Sequence, residues 1–183
     1  MAVDKKHVFT RLVQFDLERL DTLADLVSAG VDRGLDELRA LGGDEDEGIE
    51  FYADEAGAIS ELSGVFSQLA AVGLYSVVEL RTKSLLRHHL AEAEVQEAFR
   101  IKELKRFYRR VTGKTLASVP GFRAVDELRC LNNAVKHDGS VSATLAAFPN
   151  WTLGRQLGDV SGAFDRLRKE VPRYLEALAH ALL

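Results

Sequence analysis

Between Leu62 and Leu80 the chain reads LSGVFSQLAAVGLYSVVEL, and its spacing predicts a helix with apolar side chains on almost every side. Leu62, Val65, Phe66, Leu69, Val72, Tyr75, Val77, Val78 and Leu80 cover most of the circumference. A helix apolar all round must be covered all round. That demand selects a packed helical assembly with this second helix, about Ile49 to His89, at its centre. Gly64, Ala70, Ala71, Gly73 and Ser76 are small enough to let a neighbouring helix, or a second subunit, approach closely. The most hydrophobic part, Val65 to Val78, contains Gln68 and Ser76 and is too short to span a bilayer, so no membrane anchor is expected. Glu79 closes the apolar run, and an unpaired buried carboxylate is very costly. It either pairs with Lys83 one turn on or serves as a buried partner for Arg129 or His137.

The same period runs through the remaining long segments. A first amphipathic helix is predicted over about Asp4 to Leu41, with a break at Ala29-Gly30. Gly42-Gly43 ends it, and Asp44, Glu45, Asp46 and Glu47 follow as an acidic loop. That loop lacks the alternating ligands and central glycine of a calcium-binding loop, so it reads as solvated charge. A third helix is predicted over Glu94 to Val111. Ser118 and Pro120 fit the start of a fourth, and a last helix covers Asp159 to Leu183, where Pro172 is expected to kink or split it. The expected fold is all-α, an antiparallel helical bundle of about five main helices. A length of 183 residues favours one domain, with 1–41 as N-terminal helix, 42–48 as acidic loop and 49–183 as core.

The net charge of −4 argues against a globally basic nucleic-acid binder. The third helix departs from that average. Arg100, Lys102, Lys105, Arg106, Arg109, Arg110 and Lys114 are opposed only by Glu103, beside an apolar stripe of Ile101, Leu104, Tyr108 and Val111. Such a face suits phosphate contact, with Lys105, Arg106, Arg109 and Arg110 as the binding residues. The plainer reading is a solvated face balancing the acidic segments. TGKT at Thr112–Thr115 follows a helix, and Tyr108 stands where a phosphate loop needs glycine, so nucleotide hydrolysis is rejected. Cys130 is the only cysteine, which excludes an intramolecular disulfide and a thiolate metal cluster. No metal or other cofactor is expected. Met1 to Thr10 has no apolar signal region, and a reducing, cytoplasmic location fits.

Chemistry concentrates in Asp126 to Val141, DELRCLNNAVKHDGSV. Leu128, Leu131 and Val135 continue an apolar stripe, while Arg129, Asn133 and His137 follow one another at four-residue steps along a ridge. Lysine, histidine, aspartate and glycine in this order also make an ordinary helix end, since cations in the last turn meet the negative end of the helix dipole.

The stretch LRCLNNAVKHDG, after a long apolar helix containing LYSVVE, resembles the HEPN family over about Ile49 to Leu183. The resemblance implies an all-helical domain, usually a homodimer. Its ribonuclease members carry an arginine and a histidine separated by four to six residues on the penultimate long helix. By that resemblance His137 would move the 2′-hydroxyl or leaving-group proton, Arg129 would stabilise phosphoryl charge, and Asn133 would orient the histidine or a phosphate oxygen. Here Arg129 and His137 are separated by seven residues, and the position five before His137 is Asn132, not arginine. The expected function is therefore a HEPN-like module that binds RNA, a nucleotide or a partner protein such as an antitoxin, in a toxin–antitoxin or phage-defence setting, without efficient catalysis. Asn132 and Lys136 join its binding residues. The alternative is a metal-independent endoribonuclease using His137 with Arg129. The expected assembly is a two-fold dimer whose Arg129–His137 ridges face a shared groove.

Overall fold

The computed structural model describes residues 4–41, 49–137 and 139–183. Among them the regular structure is helical: α1 (Lys5–Leu41), α2 (Ile49–Leu86), α3 (Glu92–Phe99), α4 (Ile101–Thr112), α5 (Phe122–His137) and α6 (Val160–Leu182). One 3-10 turn, Leu116–Ser118, links α4 to α5. The acidic residues Asp44 to Glu47 lie outside the described residues.

Three cross-contacts fix the register of α1 against α2. Asp16 accepts from Arg81 Nε at 2.6 Å, a Cβ at Gly73 would lie 3.0 Å from Leu20, and one at Gly34 would lie 3.3 Å from Ile59. As α1 advances its α2 partner recedes, so the two are antiparallel. Glycine at these crossings lets the helices approach closely. The expected break at Ala29-Gly30 does not occur, and α1 is one continuous helix. A single interior glycine costs only about 1 kcal/mol, which 37 residues of docked helix absorb. On the other side of α1, Asp21 accepts from Arg168 at 2.6 Å and Lys6 Nζ lies 3.4 Å from His180 Nδ1, so α6 also runs antiparallel to it.

The second half of α2, with α5 and α6, forms the centre. Leu74, Leu85, Leu128, Leu131, Leu167, Leu175 and Leu178 are fully buried there. The first half of α2 departs from expectation: Leu62, Val65, Phe66 and Leu69 are exposed. No apolar residue of α2 before Ala70 belongs to the core or packs on it among the described residues. Over Ala56–Leu86, α2 is long and apolar enough to cross a membrane, well beyond the Val65–Val78 stretch. It ends at Leu86, three residues earlier than expected. His89 then turns inward, its Nε2 lying 2.7 Å from the Leu182 carbonyl and its ring edge-on to Phe107.

The expected third helix is two helices. In a single helix Val95 and Leu104, nine residues apart, would point in opposite directions. Both are buried, and the extended backbone of Arg100 (φ −55°, ψ 132°) resets the phase between them. Conversely, Pro172 does not split the last helix, which runs unbroken from its Asp159 cap. Asp159 accepts there from Gly162 N–H at 2.8 Å. Pro120 lies outside α5, in a turn closed by Phe122 N–H donating to the Val119 carbonyl at 3.0 Å.

Candidate nucleic-acid interface

Burial of Leu104, Phe107 and Tyr108 sets the orientation of α4. At 100° per residue, Lys102, Lys105 and Arg109 then fall within roughly 60° of one another on the side away from those anchors. Arg106 and Arg110 lie beside them, toward Glu103. From Ile101 to Thr112 the helix carries five cations and one carboxylate, a net +4 in a chain whose total is −4.

The four expected phosphate ligands divide in the structure. Arg106 donates to Glu103 at 2.8 Å, and Arg110 stacks over Phe107, its guanidinium carbon 5.6 Å from the ring centre. These two border an open groove of about 490 Å³ that also contains Glu94, Glu97 and Glu103, so its charge is mixed. Lys105 and Arg109 stand on the other edge without a carboxylate partner among the described residues. Lys105 lies over the Phe122 ring at 5.5 Å. Lys102 completes a basic face of Lys102, Lys105 and Arg109.

The α5 ridge is less unified than its spacing suggests. Arg129 is half-buried: its Nε donates to Asp126 at 2.9 Å, and its Nη2 lies 3.2 Å from Cys130 Sγ. Burial is the strongest single influence and works against the guanidinium's charge, but the Asp126 hydrogen bond, together with Cys130 and Tyr75 nearby, raises its pKa. Tyr75, beside the same small gap, is pushed up to about 12 by burial, with Arg129 pulling the other way. Burial also raises the Cys130 thiol, against the pull of Arg129, which makes it an inert core residue. Asn133, Lys136 and His137 are exposed in the last turns of α5.

Arg129 and His137 do not meet within the chain. A step of eight positions puts them about 12 Å apart along the helix axis, and Asp126 draws the guanidinium toward the opposite end. Two expectations need correction. Asn132 is 3% exposed, with Oδ1 unpartnered among the described residues, because it shares the inward face of Val125 and Leu128. It is not a surface ligand. Glu79 is not a buried partner of Arg129 or His137: it pairs with Lys83 near the surface.

The buried carboxylate is instead Glu127, with a side chain 5% exposed. It accepts from Trp151 Nε1 at 2.8 Å and from both terminal nitrogens of Arg166, at 2.7 and 3.1 Å. Its hydrogen bond is the main cause of the raised Arg166 pKa. A signal was present in the sequence, since Glu127 lies at the i, i+4, i+7 positions of buried Leu131 and Ala134. Among the described residues no three histidine, cysteine, aspartate or glutamate side chains gather as metal ligands. No family model, curated protein or solved structure matches this chain.

Proposed function

We propose that this chain is a HEPN-like helical module that binds the RNA backbone through the basic face of α4, without efficient catalysis. One observation carries the reading: a net +4 helix on a net −4 chain, with Lys102, Lys105 and Arg109 aligned and without a carboxylate partner among the described residues. Unpaired cations are the ones that release counterions when phosphate binds. Arg106 already has a carboxylate and offers less.

Titration of fluorescent single-stranded RNA at several salt concentrations tests this. The triple change Lys102→Gln, Lys105→Gln, Arg109→Gln is expected to weaken binding and to flatten the log–log salt slope by about 2, at ~0.7 per lost phosphate contact. The pair Arg106→Gln and Arg110→Gln is expected to do less. If the wild type and the triple variant bind alike at every salt concentration, α4 is simply a solvated face.

The proposal of weak or absent catalysis rests on Arg129, which is held by Asp126 and points away from His137. The competing ribonuclease reading requires His137 and Arg129 to act together, and removing such a group typically costs about 100- to 1000-fold in rate. Wild type and His137→Ala are both expected to leave RNA intact in chelator. A wild-type cleavage product with a 2′,3′-cyclic phosphate end, lost in His137→Ala, would overturn that part of the reading.

A further inference from the structure

Among the described residues, ten of the twelve large apolar side chains that stand exposed lie on α1 and α2. Leu26 is 67% exposed, Leu23 59%, Leu69 57% and Phe15 54%. Their direction follows from contacts already described. On α1, Leu20 faces α2 and Asp21 faces α6. Measured from Leu20, Leu23, Leu26 and Phe15 fall roughly 60°, 120° and 140° around the helix, all on the side away from α6. On α2, Leu62, Leu69 and Val65 fall roughly 20°, 40° and 80° from the α1 contact at Gly73, turned away from the buried Leu74 and Val78. Both helices therefore turn an apolar face to the same outer side of the two-helix layer. Core packing ends at Ala24 on α1 and begins at Ala70 on α2 among the described residues. Beyond those points no third helix among the described residues encloses the pair, and two helices cannot close a core by themselves.

We infer that a second copy of this chain covers this face, pairing two α1–α2 layers as a four-helix contact. The area suits a dimer. A large apolar side chain carries about 90 Å² of apolar surface, so ten half-exposed ones offer roughly 450 Å². Interfaces are about 60% apolar, which corresponds to ~750 Å² per partner, close to the ~800 Å² of a stable complex. Gly30, Gly57 and Gly64 have open space around the position a Cβ would take, leaving room for a neighbour's side chains. A lipid surface is the poorer occupant. Between Asp16 and Glu37, α1 carries seven carboxylates and two arginines, whereas helices that lie on membranes present lysine and arginine. The inference is independent of RNA binding, and it places the two-fold contact on α1–α2, not across the α5 ridge.

Sedimentation of the full chain at micromolar concentration is expected to give twice the 20.2 kDa chain mass. The exposed-site variant Leu26→Glu/Leu69→Glu is expected to raise the dimer dissociation constant at least about 100-fold, since it buries charge at the contact centre. Its helical circular dichroism and urea midpoint report whether the fold is intact, and both are expected to stay at wild-type values. A wild-type monomer overturns the inference, as does a dimer that persists in the variant. Co-sedimentation of the wild type with phosphatidylglycerol vesicles, lost in the variant, would assign the face to lipid instead.

Discussion

Glu127→Ala is expected to lower the unfolding free energy by about 2–3 kcal/mol in urea. Breaking one side of a buried pair typically costs about 3–5 kcal/mol, because the remaining charge stays desolvated. Here Arg166 is 42% exposed and regains water, which lowers the figure. Trp151 recovers less, since it is buried and its indole N–H has Glu127 as its acceptor. The carboxylate thus joins three separate pieces of chain: α5, the 139–159 connection and α6. Trp151 is also the only tryptophan, so its emission reports this fastening directly. A red shift in the alanine variant before global unfolding is expected, marking release of the connection. Glu127→Gln is expected to fall between wild type and alanine, keeping one acceptor while losing the charge that holds Arg166. A loss below about 0.5 kcal/mol for alanine, the range of ordinary surface changes, would mean that the network contributes nothing net.

The sequence made helix legible nearly everywhere, because a 3.6-residue period survives in every long segment. Where it misled, the missing information was non-local. Val95 and Leu104 each look helical, but whether one helix joins them depends on both needing the same core. Gly30 and Pro172 are local disruptors that tertiary contacts override: α1 is gripped through Leu20, Asp21 and Gly34, and α6 through Leu167, Val171 and Leu178. The all-round apolar character of α2 predicts cover along its whole length, and Leu62, Val65, Phe66 and Leu69 are exposed instead. It did not say that α5 and α6 would supply that cover only beyond Ala70.

The basic face and the ridge show the same limit. Composition located the charge of α4, but the division between paired Arg106 and unpaired Lys105 depends on rotamers around Glu103 and Phe122. Spacing aligned Arg129, Asn133 and His137 along one edge. Spacing alone did not reveal that Asp126, one turn earlier, would hold the arginine. Asn132 and Glu127 illustrate a general point: a polar residue on an apolar helical face is buried with that face. At Glu127 the partners come from 24 and 39 residues away, beyond the reach of any local pattern.

Gly121→Ala is expected to cost about 2–4 kcal/mol, combining two penalties that a sister glycine separates. Val119, Pro120, Gly121 and Phe122 form a turn with proline and then glycine at its centre, and Gly121 has φ +76°. An alanine held at positive φ loses about 1–2 kcal/mol from crowding of its Cβ. Gly113 shares that conformation, at φ +71°, with nothing within 4 Å of the place an alanine methyl would take, so Gly113→Ala measures this penalty alone. At Gly121 the added carbon would also lie 2.8 Å from the Glu170 carbonyl oxygen and 3.0 Å from the Tyr174 nitrogen. These are backbone atoms of α6 on either side of Pro172, and no rotamer change moves them aside. The helix must retreat from α5, opening the contact where Phe122 meets Tyr174 at a ring separation of 6.4 Å. Urea unfolding of the two alanine variants under the same conditions gives the comparison. Equal losses at the two sites would show that α6 yields freely at this point; a loss at Gly121 larger by at least about 1 kcal/mol, the size expected for overpacking, marks it as the fixed contact between α5 and α6.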